Sequence, residues 1–135
     1  MSSLVRDAMV SDPPACDASD SAQAAGEHLA DPNVRAVLIC DDGRLIGVVT
    51  RKTLVREVVA PGLDPKTTPL RDIAEPPIFT IDAELPLDEA FLALEERDLE
   101  RVPVVEDGRL VGVLSRSVVQ RRLAEDEPPV EPDAS

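Results

Sequence analysis

Asp42-Gly43-Arg44-Leu45-Ile46-Gly47-Val48-Val49-Thr50-Arg51 returns as Asp107-Gly108-Arg109-Leu110-Val111-Gly112-Val113-Leu114-Ser115-Arg116. The offset from Gly43 to Gly108 is 65 residues, and it holds without a gap beyond the two strings. It pairs Arg6 with Arg71, Asp17 with Asp82, Ala25 with Ala90, Leu29 with Leu94, Val37 with Val102 and Arg56 with Arg121. One ungapped register across both halves marks an internal duplication, and a duplication constrains architecture before any single element does.

Working outward from the repeated string, the Asp-Gly pairs predict hairpin turns, because Gly accepts the positive φ that a two-residue turn demands. Apolar runs flank each turn: Ala36 to Cys40 and Leu45 to Val49 in the first copy, Val102 to Val105 and Leu110 to Leu114 in the second. Upstream, Leu87, Ala90, Phe91 and Leu94 recur at helical spacing, with Ser21, Ala22, Ala25 and Leu29 a paler version. Before those helices, Pro77 to Ile81 reads as a short strand and Pro14-Ala15-Cys16 echoes it. Thr50 and Ser115 are placed to cap a second helix in each copy. Its apolar positions are Leu54, Val55, Val58 and Val59 in the first copy, and Val118, Val119 and Leu123 in the second. The predicted unit is β-α-β-β-α.

A unit of this size buries too little surface to stand comfortably alone. The fold class expected is therefore α+β, with two β-α-β-β-α repeats packed sheet to sheet about a pseudo-two-fold axis. Residues 1–60 form the first repeat with a lead-in at Ser3 to Met9. A Pro-rich linker covers 61–69. The second repeat covers 70–124, with Leu70 to Ala74 as its own lead-in. The acidic, Pro-rich end, 125–135, lacks a helical stripe and reads as disordered.

The 135 residues carry 27 acidic and 14 basic side chains, a net charge of -13. Nucleic-acid affinity rests on cations neutralising phosphates, and single-strand binding on aromatic platforms. With only Phe79 and Phe91 as aromatics, no nucleic acid and no anionic membrane is expected as a partner. No apolar stretch approaches the ~20 residues of a spanning helix, nor is there a secretory h-region, so the expectation is a cytoplasmic protein. Cys16 and Cys40 lack a Cys-x-x-Cys arrangement, and with the single His28 they build no zinc site. They read as small buried hydrophobes. No nucleophile-base set or phosphate-cradling loop is visible, which argues against an enzyme.

The string Phe79-Thr80-Ile81, Leu87-Asp88-Glu89-Ala90, Arg101-Val102-Pro103-Val104-Val105 and Gly108 to Arg116 resembles a CBS domain (cystathionine-β-synthase domain). From Leu4 to Ala124 the chain looks like a tandem pair, a Bateman module. The resemblance implies a stand-alone regulatory module that binds AMP, ADP, ATP or S-adenosylmethionine between the repeats, requires no cofactor, and modulates an unidentified protein effector in trans. It also implies a dimer, and the helices carrying Leu54, Val55, Val58, Val119 and Leu123 hold more apolar surface than one small core needs, so a homodimer through them is expected. A ligand-free interaction or dimerisation scaffold with degenerate sites is the alternative.

The resemblance names the ligand-binding candidates as Thr50, Thr53, Thr80, Arg101, Val102, Pro103, Ser115 and Arg116. A hydroxyl and free amides at a helix start can hold a phosphate or sugar oxygen. Plain helix capping explains Thr50 and Ser115 equally well. The family places an Asp three residues after the hydroxyl, where it accepts both ribose hydroxyls. Here those positions hold Thr53 and Val118. Thr53 is expected to offer one hydrogen bond and Val118 none. By the resemblance, Thr80 and Arg101-Val102-Pro103 wall the Thr50 cleft, while Ala15 and Arg35-Ala36-Val37 wall the Ser115 cleft. The Thr50 cleft is thus expected to be the better one. Arg44, Arg51, Arg109 and Arg116 are either phosphate contacts or cations paired with nearby carboxylates.

Overall fold

The computed structural model describes residues 3–11, 13–77 and 79–126. Its elements run α1 (Val5–Ala8), β1 (Ala15–Asp17), α2 (Ala22–Leu29), β2 (Ala36–Asp41), β3 (Arg44–Thr50), α3 (Arg51–Leu54), β4 (Ile81–Asp82), α4 (Leu87–Glu96), β5 (Arg101–Glu106), β6 (Arg109–Ser115) and α5 (Arg116–Asp126). A π-helical turn, Val55–Val59, continues α3, and a 3-10 turn spans Leu70–Asp72. The β-α-β-β-α order therefore occurs twice. The predicted strand at Pro77 to Ile81 narrows to Ile81–Asp82, and Ile78 lies outside the described residues. Helix α5 runs through Asp126, so Glu125 and Asp126 continue the helix. The rest of the segment read as a disordered tail, from Glu127 on, lies outside the described residues.

The hairpin registers repeat the 65-residue offset. Ala36 pairs with Thr50 and Val37 with Val49; Arg101 pairs with Ser115 and Val102 with Leu114. Each hairpin also shifts register at the same place, between Ile39 and Cys40 and between Val104 and Val105. Both turns take positive φ, 51° and 81° at Asp42 and Gly43, and 54° and 78° at Asp107 and Gly108. Gly adopts this region without steric cost, and Asp tolerates it.

The α+β class and the paired β-α-β-β-α repeats hold, and the two halves share one sheet. Six strands form one sheet in the order β1-β2-β3-β6-β5-β4. The halves join edge to edge at one residue pair, Arg44 with Arg109. Unpaired edge amides and carbonyls at the hairpin tips find partners there: Leu45 N–H donates to Gly108 O (3.2 Å) and Leu110 N–H to Gly43 O (3.1 Å).

The repeats also exchange their lead-ins. Val5 N–H donates to Leu85 O (2.9 Å) and Arg6 N–H to Ala83 O (3.0 Å), so α1 docks on the second repeat. Reciprocally, Leu70 N–H donates to Asp20 O (2.8 Å) and Arg71 N–H to Ala18 O (2.9 Å). Two cores result. Cys16, Ala25, Leu29, Val37, Ile39 and Val49 pack with Leu70 and Ile73. Leu87, Ala90, Leu94, Val102, Val104 and Leu114 pack with Val5. Each fully buried Leu or Val contributes ~1.5–3 kcal/mol, so each repeat is stabilised by side chains from the other half of the sequence.

Cys16 is buried and Cys40 half-buried, and both are free thiols. Cys16 pairs with Ile39 while Asp17 pairs with Cys40, which sends the two thiols to opposite faces of the sheet. Desolvation raises both thiol pKa values, helped by Asp20 at Cys16 and by Asp17 at Cys40. Raised thiol pKa values mean little thiolate at neutral pH. Titration of denatured protein that was never exposed to reductant is expected to find both thiols free. A missing pair would contradict the register. No helix among the described residues is long and apolar enough to cross a membrane.

Candidate functional site

Thr50 ends β3 and caps α3. Its hydroxyl accepts from Thr53 N–H at 3.3 Å, and the Thr53 hydroxyl accepts from Thr50 N–H at 3.1 Å. The two hydroxyls lie 3.0 Å apart. This reciprocal arrangement satisfies two amides that a helix start otherwise leaves unpaired. Thr53 is fully buried, so its hydroxyl serves the cap and is closed to solvent, where the sequence suggested a ribose contact. Thr53→Val is expected to strand the Thr50 amide and lower stability by ~1–3 kcal/mol, read by urea denaturation. Thr53→Ser, which keeps the oxygen, is expected to recover most of the hydrogen-bond loss.

The register places the expected wall residues. Arg101 is the direct cross-strand partner of Ser115, and Pro103 of Val113, whereas Thr50 stands opposite Ala36. Thr80 immediately precedes β4, whose Ile81 pairs with Val104. The strand expected to wall the Thr50 cleft thus lies beside Ser115. Thr80, Arg101, Val102, Pro103, Ser115 and Arg116 all belong to the second repeat, and Thr50 and Thr53 to the first. Arg101 is exposed, Val102 buried, and Thr80, Pro103 and Ser115 half-buried. The Ser115 hydroxyl lies 3.0 Å from that of Ser117, a residue the sequence reading did not single out. Its place two residues into α5 was the available signal. Val118 is half-buried, more open than Thr53.

The arginines that follow the hydroxyl residues have partners within the chain. Arg51 donates to the carbonyls of Leu29 (2.6 Å) and Asp31 (2.8 Å), tying the end of α2 to α3. Arg116 binds Glu100 and lies 3.5 Å from Asp98, and the Glu100 hydrogen bond raises its pKa, keeping it charged. Arg116 N–H also donates to Glu100 O at 2.8 Å. His28 is exposed at the end of α2. Among the described residues no group of three His, Cys, Asp or Glu side chains could hold a metal.

The duplicated hairpins, the matched registers and the hydroxyl residues before each second helix meet one family profile twice. That of the CBS domain matches residues 5–60 and again 70–125. The chain belongs to the CBS domain family. Hypoxic response protein 1 of Mycobacterium tuberculosis is 35% identical over 103 residues, spanning 76% of this CBS pair and 72% of that protein. A crystal structure of Hypoxic Response Protein I with two coordinated zinc ions matches with a TM-score of 0.73 at 30% identity, covering 89% of this chain and 98% of that one. CBSX2 in complex with AMP matches with a TM-score of 0.70 at 25% identity, covering 90% and 96%. The CBS pair of MJ0100, bound to 5′-methylthioadenosine and S-adenosylmethionine, shares the fold with a TM-score of 0.67 at 21% identity, covering 94% and 100%. CBS pairs are regulatory modules in general, and adenosyl ligands occupy these two relatives.

Proposed function

We propose that this CBS pair is a cytoplasmic regulatory sensor that takes an adenine nucleotide or another adenosyl ligand in a cleft between its repeats. The bound form would modulate a protein effector in trans. It would need no cofactor and carry out no reaction of its own. The carrying observation is the Arg101–Ser115 pair at the start of α5, a cation beside a hydroxyl in a chain similar to an AMP-bound one. Guanidinium groups bind phosphate with charge-assisted hydrogen bonds. The net charge of -13 speaks against nucleic acid or an anionic membrane as the partner.

The scaffold reading keeps one specific support: Thr53 is consumed in its cap and Val118 has no acceptor. Calorimetry with AMP, ADP, ATP and S-adenosylmethionine separates the two. Saturable binding of one ligand at micromolar concentration supports the sensor. Silence across the panel, with an intact fold, moves the scaffold ahead.

We also propose a homodimer, with a changed contact set. Val58 and Val119 are core residues, and Leu54 and Leu123 are half-buried. Of the exposed large apolar side chains, Val55, Val59 and Leu63 lie together at and just beyond the π-helical turn. Val59, Leu63 and Leu54 line a 530 Å³ groove between α2 and the π-helical turn. Contiguous exposed apolar surface of this kind marks interaction sites. Val59→Asp is expected to shift a dimer to monomer in light scattering while leaving the circular dichroism spectrum unchanged. An unchanged mass distribution would remove this surface from the interface.

A further inference from the structure

The junction between the repeats sets two like charges opposite each other. Arg44 and Arg109 are direct cross-strand partners, an arrangement that destabilises a sheet. Each side chain crosses the joint: Arg109 Nη2 lies 2.7 Å from where a Cβ on Gly43 would sit, and Arg44 Nη2 lies 2.6 Å from the matching point on Gly108. The carboxylates that could neutralise them stand opposite within their own hairpins, Asp41 facing Arg44 and Glu106 facing Arg109. Glu106 is instead held by Arg6 at 2.6 Å. Neither Arg44 nor Arg109 has an ion pair or side-chain hydrogen bond among the described residues, whereas Arg6, Arg56 and Arg116 hold carboxylates. Both are exposed. A 220 Å³ cavity opens beside the joint, lined by Pro13, Ala15, Cys40, Gly43, Leu110 and Val111. It shares Gly43 with the resting place of the Arg109 guanidinium.

We propose that Arg44 and Arg109 form an anion site at the joint between the repeats, taking a phosphoanhydride such as diphosphate. A guanidinium fork matches phosphate oxygens bidentately. Two forks, reaching across the joint in opposite directions, suit a ligand with two charged groups better than a single phosphate. The site is separate from the adenosyl cleft. Six residue steps along β3 or β6, roughly 20 Å of strand, lie between the joint and Thr50 or Ser115. It therefore goes beyond the proposed function and stands if that reading fails.

The test compares the full chain with the Arg44→Gln/Arg109→Gln double variant at low ionic strength, using sodium diphosphate, inorganic phosphate, ADP and adenosine as probes in calorimetry and thermal melts. Diphosphate is expected to bind the parent, at least tenfold more tightly than inorganic phosphate, and to weaken as salt rises. The double variant is expected to lose that binding by tenfold or more. It should melt no lower than the parent without ligand, because a like-charge pair has gone. ADP binding that falls with the double variant identifies a nucleotide's phosphates as the source. ADP binding left unchanged while diphosphate binding is lost identifies a free phosphoanhydride. Diphosphate binding that is absent in the parent, equal in the two proteins, or no tighter than phosphate overturns the site. Adenosine reads the adenosyl cleft alone, so failure there is distinguishable.

Discussion

Gly47→Val is expected to lose about 3 kcal/mol or more of stability, the sum of overpacking and two broken hydrogen bonds. A Cβ at position 47 would lie 2.8 Å from the Ala74 Cβ and 2.8 Å from the Glu75 carbonyl oxygen. Neither is the loose end of a flexible side chain. Val48 N–H donates to Glu75 O at 2.8 Å and Glu75 N–H to Val48 O at 3.0 Å, so relieving the clash pulls this pair apart. The same movement withdraws the segment that carries Leu70 and Ile73 into the first core. The melting temperature should fall by roughly 10 °C for a domain of this size. Gly112→Val is expected to cost less. One of its clashes is with the Met9 sulfur at 2.8 Å, a flexible end, although the Val10 carbonyl oxygen is equally near. Gly62→Ala is the control. With nothing within 4 Å of the added atom and φ of +78°, it carries only the left-handed backbone cost of ~1–2 kcal/mol. A Gly47 variant as stable as the parent would show that the lead-in does not dock against β3.

Val118→Asp is expected to tighten AMP binding by tenfold to a hundredfold. A carboxylate at this third helical position supplies the two-oxygen acceptor that the family uses for the ribose hydroxyls. Hydrogen bonds to charged groups contribute ~1.5–3 kcal/mol, which converts to that range of affinity. Position 118 is half-buried and sits three residues after Ser115, the cross-strand partner of Arg101. The new carboxylate also lies in the first turn of α5, where the helix dipole favours negative charge. The gain should shrink for 2′-deoxy-AMP, which lacks one of the two hydroxyls. Thr53→Asp is expected to give no such gain, because position 53 is fully buried and already committed to the Thr50 cap. Calorimetry on both variants decides the matter. Equal gains at the two positions, or none at 118, would falsify placing the ligand beside Arg101 and Ser115.

The two predictions depend on different kinds of information. That Gly47 and Gly112 are equivalent can be read from the 65-residue offset alone. What each glycine makes room for cannot, since Glu75 and Val10 arrive from segments distant in the chain. The candidate cleft divides the same way. Thr50 as a helix cap is a local property, visible in its position before the apolar stripe. The grouping of Arg101 with Ser115 follows from hairpin register, which places the end of β6 beside the start of β5. Thr53 and Val118 look alike as departures from the family's Asp. Burial separates them.

The sequence by itself determined the duplication, the β-α-β-β-α order, the Asp-Gly hairpins and most core positions. All of these are local patterns, set by side-chain period and by the turn geometry that Gly permits. Only the tertiary structure decided the exchange of lead-ins, the edge-to-edge joint at Arg44 and Arg109, and the place of Arg101 beside Ser115. Each is a pairing between segments distant in the chain, and hydrophobic periodicity says which face of a strand is buried without saying which neighbour buries it. The lead-in shows why. Val5 and Leu70 are equivalent residues with equivalent local sequence, yet each is stabilised by the opposite repeat, because the groove beside a strand glycine is found in the partner half, where Met9-Val10 meets Gly112 and Ala74-Glu75 meets Gly47.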